Sequence, residues 1–428
     1  MATPPGMAGV AIIRVSGPHA FEIGQQITRQ SLRPRYAHYV AFCDQQRTVL
    51  DQGIVIYFPR PHSFTGEDMV ELHPHGNPHI CQSILNTLTS MGARLAIAGE
   101  FSERAFLNGK MDLAQLEAVA DLIASGSQQA ARSAVLSMQG KFSEQVQQIL
   151  KQLTRIRTHI EAALDFSEED IETETRSQVA EQLSDLVEDL LLLFKSAQQG
   201  VQLQQGATVV FTGKPNVGKS SLFNALCAEE RAIVTSVPGT TRDIIRADIE
   251  INGLPVHLLD TAGIRKQAEA VEREGIRRAH NAIDQADLVI YVTDDPQENC
   301  RVKDSSREIH VLNKIDLHNV PVQATEILKV SAKSGEGLVQ LRSEIAAVLG
   351  ISTVAGEPPF SARERHLESL QRCHHLLAAA SDLIENVSPL ELVAEELRQA
   401  QQVLAEITGE FTPDDLLDFI FREFCIGK

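Results

Sequence analysis

GKPNVGKS, residues 213 to 220, decides how the rest of this chain is read. The stretch fits G-x-x-x-x-G-K-[ST]. It stands between an apolar β run, ATVVF (207 to 211), and a helical pattern, SLFNALCA (221 to 228). Its glycines let backbone N–H groups wrap a polyphosphate. Lys219 is placed to reach the β- and γ-phosphates, and Ser220 to offer a hydroxyl to Mg²⁺.

A Gly-rich loop alone is weak evidence, because such loops also serve as plain turns. Here further motifs follow in order, each at a strand end. DTAG (260 to 263) follows PVHLL; Asp260 suits Mg²⁺ held through water, and the Gly263 N–H can sense a γ-phosphate. NKID (313 to 316) follows EIHVL. The Asp316 carboxylate can accept from the guanine N1–H and N2 amine, a donor pair that adenine lacks, so ATP should be rejected. SAK (331 to 333) follows EILKV and suits a guanine-contacting loop. Thr241, in PGTTRD (238 to 243), is placed to close on Mg²⁺ as a switch. The order resembles the translation-factor-like class of P-loop GTPases. The GTP-binding set expected is Asn216, Val217, Gly218, Lys219, Ser220 and Ser221; then Thr235, Ser236, Val237, Pro238, Gly239, Thr240 and Thr241. Asp260, Thr261, Ala262, Gly263, Asn313, Lys314, Ile315, Asp316, Ser331, Ala332 and Lys333 complete it. Mg²⁺ is expected on Ser220 and Thr241.

Ile264 follows DTAG, where Ras-like enzymes place a glutamine that orients water. An aliphatic side chain cannot do this. The nearby candidates are Arg265, Glu269, Glu272, Arg273 and Glu274, most of which read equally well as exposed helix charges. Asn216 offers a carboxamide oxygen to a monovalent cation beside the phosphates, where other GTPases use an arginine finger.

Outward from this block the texture changes. From about 206 to 350, β runs ATVVF, PVHLLD, DLVIYVT, EIHVL and EILKVS alternate with helical segments, which predicts a parallel sheet with crossover helices. Residues 109–205 and 351–428 read as helical, with Leu183, Leu186, Val187, Leu190 and Phe194 as one face. The acidic SEEDIETETR (167 to 176) reads as a loop or helix junction with a solvated face. Residues 1–108 mix short apolar runs with Gly and Pro turns, an α+β pattern. The economical organisation is multidomain α/β: an N-terminal α+β domain, and a helical domain from both flanks with the P-loop GTPase domain inserted. Thr412 and Pro413 mark a helix start, which carries Leu416, Phe419 and Ile420 toward the ending EFCIGK.

Composition narrows the function classes. The chain has 428 residues, 43% hydrophobic, with a formal net charge of −18. That balance opposes unaided, non-specific nucleic-acid binding, so a nucleic-acid role needs a local basic patch or a basic partner. Six scattered cysteines without a CxxC pair suggest reduced thiols in a cytoplasmic setting. Apolar runs fall far short of the ~18 residues of a membrane span. The histidines of HPHGNPH (73 to 79) read as a turn, not a metal site.

Beyond the nucleotide motifs, GEFSERAFLNGKMDLAQLEAVADLI (99 to 123), the opening ATPPG with IIRVSG, FTGEDMVELHPHG (64 to 76) and the terminal FCIGK are similar to the MnmE (TrmE) family of tRNA-modification GTPases. The similarity spans the whole chain. It implies K⁺ held by Asn216, Thr235, Val237 and Thr240, promoting G-domain dimerisation and hydrolysis, with Glu272 orienting water through a second water. It implies a folate-binding-like N-terminal domain that forms a homodimer. That domain would hold 5-formyltetrahydrofolate, or a related folate, with Arg14, Glu71, Lys110 and Lys428. It also implies a heterotetramer with the FAD-dependent partner MnmG (GidA), installing aminomethyl or carboxymethylaminomethyl groups at C5 of wobble uridine in tRNA. Cys425 is a possible participant, though the C-terminal end of a helix raises a thiol pKa. Two departures stand out: the family usually opens with a further apolar strand, whose absence is expected to expose a sheet edge, and Pro74 and Asn77 replace common glycines. The competing class, a ribosome-assembly GTPase, calls for an appended RNA-binding module such as a GXXG loop with basic flanks, and none is apparent after 350.

Overall fold

The computed structural model describes residues 1–165, 169–229, 245–260, 283–295, 307–317, 327–349, 360–410 and 420. Two compact units divide the chain: Met1–Ala120 with Arg398–Lys428, and Asp121–Leu397.

In the first unit, β1 (Ile13–Ser16), β2 (His38–Cys43), β3 (Val49–Phe58) and β4 (Met69–His73) form an antiparallel sheet in the order β1-β4-β3-β2. Alternation along the strands decides the faces. Ile13, Val40, Phe42, Val55, Val70 and Leu72 are buried with Ile23 and Ile27 of α1 (Ala20–Thr28) and Ile84 and Leu88 of α2 (Pro78–Ser90). Arg14 and Glu71, one residue out of phase, pair across β1 and β4 on the other face. Asn77, one of the two residues standing in place of common glycines, has a job: it caps α2, accepting from the amides of His79 (2.9 Å) and Ile80 (3.4 Å), with Pro78 starting the helix. Further along, α3 (Glu100–Leu107) leads into α4 (Leu113–Ala124), and Ala105, Leu113, Leu116 and Ile420 share a small core.

In the second unit, long helices carry a heptad seam. On α6 (Lys141–Asp165) the buried positions are Phe142, Val146, Ile149, Leu153, Ile156 and Ile160; on α7 (Glu169–Gln205) they are Val179, Leu183, Leu186, Leu190, Leu193 and Ala197. Spacing that alternates three and four residues winds one apolar stripe toward a partner helix. The seam therefore runs through Leu193, while Phe194, expected on it, is half-buried beside it. Glu169–Arg176, expected as a loop or junction, lies within α7. A short helix, α5 (Gln128–Met138), precedes α6.

A six-stranded sheet comprises β5 (Ala207–Thr212), β6 (Ile245–Ile251), β7 (Leu254–Asp260), β8 (Leu288–Thr293), β9 (Glu308–Leu312) and β10 (Leu328–Lys329), in the order β10-β9-β8-β5-β7-β6. Five strands are parallel, but β6 runs antiparallel to β7, so the sheet is mixed and not purely parallel as the sequence suggested. Sequence reading missed β6 because Arg246, Asp248 and Glu250 break its apolar run. As an edge strand it buries only alternate residues, Ala247, Ile249 and Ile251. On this sheet pack α8 (Lys219–Glu229) and α9 (Leu338–Val348). After it come α10 (Glu364–Glu385), with its own seam of Leu370, Cys373, Leu377 and Ala380, and α11 (Leu390–Ala405).

At the root of this sheet Asp121, 2% exposed, accepts from Gln204 Nε2 (2.9 Å) and from Arg363 Nη2 (2.8 Å). One carboxylate thus ties α4, the end of α7 and the start of α10 around the point where the chain enters β5. Gly206 makes that entry with φ +70°, and a Cβ there would run into the Pro255 carbonyl.

Candidate functional site

The loop between β5 and α8 is shaped by backbone approach. Gly213 (φ +140°) lies so close to β8 that a Cβ would overlap the Val292 carbonyl oxygen, and a Cβ on Gly218 (φ +95°) would overlap the Asn313 amide. Between them Asn216 takes a left-handed backbone at φ +66°. The loop runs straight into the N-terminus of α8, whose first-turn N–H groups and dipole favour a bound anion. Lys219 is 6% exposed, and its ammonium donates to the carbonyls of Gly213 (3.0 Å) and Lys214 (2.7 Å), which pins it along the loop. Ser221 is exposed on the same turn, and Val217 is buried beneath the loop.

Asp260 ends β7, paired in register with Phe211 of β5, and is fully buried. It accepts from Ser220 Oγ at 2.6 Å. A hydroxyl and a carboxylate thereby converge beside the loop, the hard oxygen pair that Mg²⁺ prefers.

The other rim is built by Asn313, 1% exposed at the end of β9. Its Nδ2 donates to the Val217 carbonyl (3.0 Å), and its Oδ1 accepts from the Ala332 amide (3.2 Å). One side chain thus joins the 213–220 loop to the loops that follow β9 and β10. Lys314 (φ +63°) donates to the Asn216 carbonyl (2.7 Å) and pairs with Asp294 (2.6 Å). Ile315 and Asp316 begin a short turn, Ile315–Leu317. The exposed Asp316 carboxylate is oriented by the buried Ser331, whose hydroxyl donates to Oδ1 at 2.7 Å. Lys333 is exposed on the loop after it. Sequence reading did not single out Asp294; the signal was an acid just past the C-terminal end of a strand, where such sheets bind ligands.

The other expected residues, Thr235, Ser236, Val237, Pro238, Gly239, Thr240, Thr241, Thr261, Ala262, Gly263 and Glu272, lie outside the described residues, as do Ile264, Arg265, Glu269, Arg273, Glu274, Thr412, Pro413, Leu416, Phe419, Cys425 and Lys428.

In the first unit Arg14 Nε donates to Glu71 Oε1 at 2.8 Å, while His73 Nε2 stands 3.3 Å from Oε2. The hydrogen bond from His73 holds the Glu71 carboxyl below its usual range; burial opposes this, and Arg14 adds to it. The Arg14 guanidinium also lies 5.8 Å from the Phe64 ring centroid. Lys110 is exposed, with its stem against Gly66 on the same segment as Phe64. His75 is committed to Asp51 at 2.9 Å. Arg14 further lines a cleft of about 480 Å³ along the outer edge of β1, with Arg94, Arg104, Leu88 and Phe101.

Two family models match this chain: the MnmE helical domain over residues 113–425, and the GTP-binding protein TrmE N-terminus over residues 1–110. The tRNA modification GTPase MnmE of Hydrogenovibrio crunogenus is 47% identical over 441 residues, covering 100% of this chain and 98% of its own length. That of Nitrosococcus oceani is also 47% identical over 441 residues, covering 100% of this chain and 96% of its own. That of Vibrio cholerae is 45% identical over 445 residues, covering 100% and 98%. Among solved structures, the G domain of the T. maritima FeoB iron transporter matches 33% of this chain and 98% of its own at 26% identity, with a TM-score of 0.26.

Proposed function

The chain belongs to the MnmE family of tRNA modification GTPases, and from that premise we propose a K⁺-stimulated GTP hydrolase that helps modify C5 of the wobble uridine in tRNA. The observation that carries the hydrolase half is the 2.6 Å contact of Ser220 with buried Asp260, beside a loop built for phosphate. Asp316, aimed by Ser331, selects guanine. Ser220 and Thr241 would hold Mg²⁺, with Asp260 behind them, and the ion supplies charge neutralisation when bound. Asn216, with Thr235, Val237 and Thr240, would hold K⁺; an exposed carboxamide beside the phosphate loop fits that role. Glu272 would orient the attacking water.

The same reading assigns a folate to Arg14, Glu71, Lys110 and Lys428. The ionised, buried Glu71 fits a ligand that presents N–H donors, as a pterin does. In this reading the folate brings the one-carbon unit, the protein works as a homodimer, and an FAD-dependent partner, MnmG, completes a heterotetramer that installs aminomethyl or carboxymethylaminomethyl groups. The three-domain division, with 206–350 inserted into a helical domain of 109–205 and 351–428, belongs to it.

The test is mass analysis of wobble nucleosides from a strain deleted for its own family member and complemented with this chain. Restored C5 modification is expected, together with its loss in Ser220→Ala. Unmodified uridine in the wild-type complement, despite soluble expression, overturns the reading.

A further inference from the structure

A chain with 57 acidic and 39 basic residues must concentrate its basic surface somewhere if it is to touch RNA. Two of its acid-free stretches carry a group of arginines. Residues 23–43 and 52–66 contain no Asp or Glu, and they carry Arg29, Arg33, Arg35 and Arg60. The fold brings parts of both to one end of the antiparallel sheet. Pro34 bridges to Tyr57, the Arg35 amide donates to the Tyr57 carbonyl (2.8 Å), and Arg35 Nη2 donates to the His62 carbonyl (3.0 Å). Asp68, nearby, is turned under, accepting from the Tyr57 hydroxyl (2.7 Å) and the Arg60 amide (3.1 Å). Among the described residues, no ion pair to a carboxylate involves Arg33, Arg35 or Arg60.

An aromatic side chain sits among these cations. Tyr36 is 55% exposed, with the Arg33 guanidinium 6.0 Å from its ring centroid and the His38 ring edge-on at 4.8 Å. His38 Nε2 accepts from the Arg33 amide at 2.9 Å, which fixes the turn. Arg35 holds a left-handed backbone, φ +55°, which a non-glycine side chain resists. Solubility does not call for these groups, because a net charge of −18 already keeps copies apart. Exposed arginines around an exposed ring are the chemistry of single-stranded nucleic-acid contact: cations for phosphates, a π-face for a base.

We propose that the loops around 33–38 and 58–62 form a tRNA contact surface, with Arg33, Arg35 and Arg60 on backbone phosphates and Tyr36 stacking on an unpaired base. The proposal rests on the tRNA-modification reading and adds to it a binding surface on this chain. Three guanidiniums against an overall negative charge give a local, salt-sensitive grip, so other phosphate contacts fall to the partner.

The experiment is fluorescence anisotropy of full-length protein with a labelled, unmodified tRNA transcript, titrated between ~20 and ~200 mM KCl. Arg33→Gln/Arg35→Asn/Arg60→Gln, with Asn chosen to tolerate the left-handed backbone, is expected to flatten the slope of log K against log salt by about 2 to 3. Tyr36→Ala should weaken binding by roughly 5- to 100-fold, and Tyr36→Phe should restore it. Lys151→Ala, exposed on α6, should bind as wild type. All variants should keep the wild-type thermal midpoint. An unchanged salt slope, an equal loss in Lys151→Ala, or no wild-type binding at ~20 mM KCl overturns the surface. A wild-type chain that restores wobble modification while the arginine variants keep their slope condemns the surface alone. A chain that never restores it condemns the tRNA reading.

Discussion

At the scale of single residues, the nucleotide site depends on side chains that hold other side chains. The guanine contact proposed for Asp316 comes from NKID, because a carboxylate at that place would match the guanine donor pair. The supports were less so: Ser331 was read from SAK as a nucleotide contact and not as the group that orients Asp316, and Asp294 was not singled out; both are defined by contacts, at 2.7 Å and 2.6 Å. This separates two substitutions. If Asp316 takes the proposed guanine contact, Asp316→Asn replaces one acceptor oxygen by a donor there, and should weaken GDP binding by about 10- to 150-fold, given roughly 1.5–3 kcal/mol for a hydrogen bond to a charged group. Ser331→Ala removes only the orienting bond, and should cost about 1 kcal/mol, near fivefold. Calorimetric titration with GDP and ADP measures both, and equal losses would mean that Asp316 acts only through its position.

At the scale of elements, the long helices follow from their own sequence, and the connections do not. The heptads of α6 and α7 are visible residue by residue. The stripe drifts from Leu190 to Leu193 and not to Phe194 because the seam follows a period of 3.5, where a single face suggests 3.6. By contrast, the start of α3 is tied down by ion pairs that no apolar pattern signals. Glu100, 6% exposed, receives Arg94 (2.6 Å), Arg104 (2.7 Å) and the Ile97 amide (3.1 Å). Burial alone would raise its pKa; the hydrogen bonds from Arg94 and Arg104 overcome that and bring it down to about 2. A carboxyl depressed in the folded state contributes stability above its unfolded pKa and loses it as pH falls through the folded one. Glu100→Gln should therefore cost about 2 kcal/mol at pH 7, after discounting the exposed Arg94. The gap to wild type should narrow between about pH 4.5 and pH 2. Urea midpoints at pH 7 and pH 3 check this; a gap that does not narrow would assign the loss to packing.

At the scale of the whole molecule, hydrolysis is expected to belong to an assembly. If K⁺ on Asn216 draws two G domains together, the specific rate should rise with protein concentration in KCl. In NaCl it should stay low and flat. The rise should reach one to two orders of magnitude, a few kcal/mol of transition-state stabilisation by charge. Rates across a dilution series in the two salts measure it, and identical curves would remove the cation from the mechanism.

The sequence by itself determined the order of the nucleotide motifs, the helical flanks and the family. Each of these is a local pattern, readable over a few residues or a few turns. It also showed that an acidic chain needs a basic patch for RNA, without saying where. Only the tertiary structure decided that β6 closes the sheet antiparallel, that Asp121 gathers three helix ends, and that two acid-free segments meet at Arg35 and Tyr57. The last two join residues well separated in the chain, and contacts of that kind are set by how whole elements bury their apolar faces. The β6–β7 pairing is local, turning at Asn252 and Gly253, but the charged Arg246, Asp248 and Glu250 hid the strand from a reading by apolar runs.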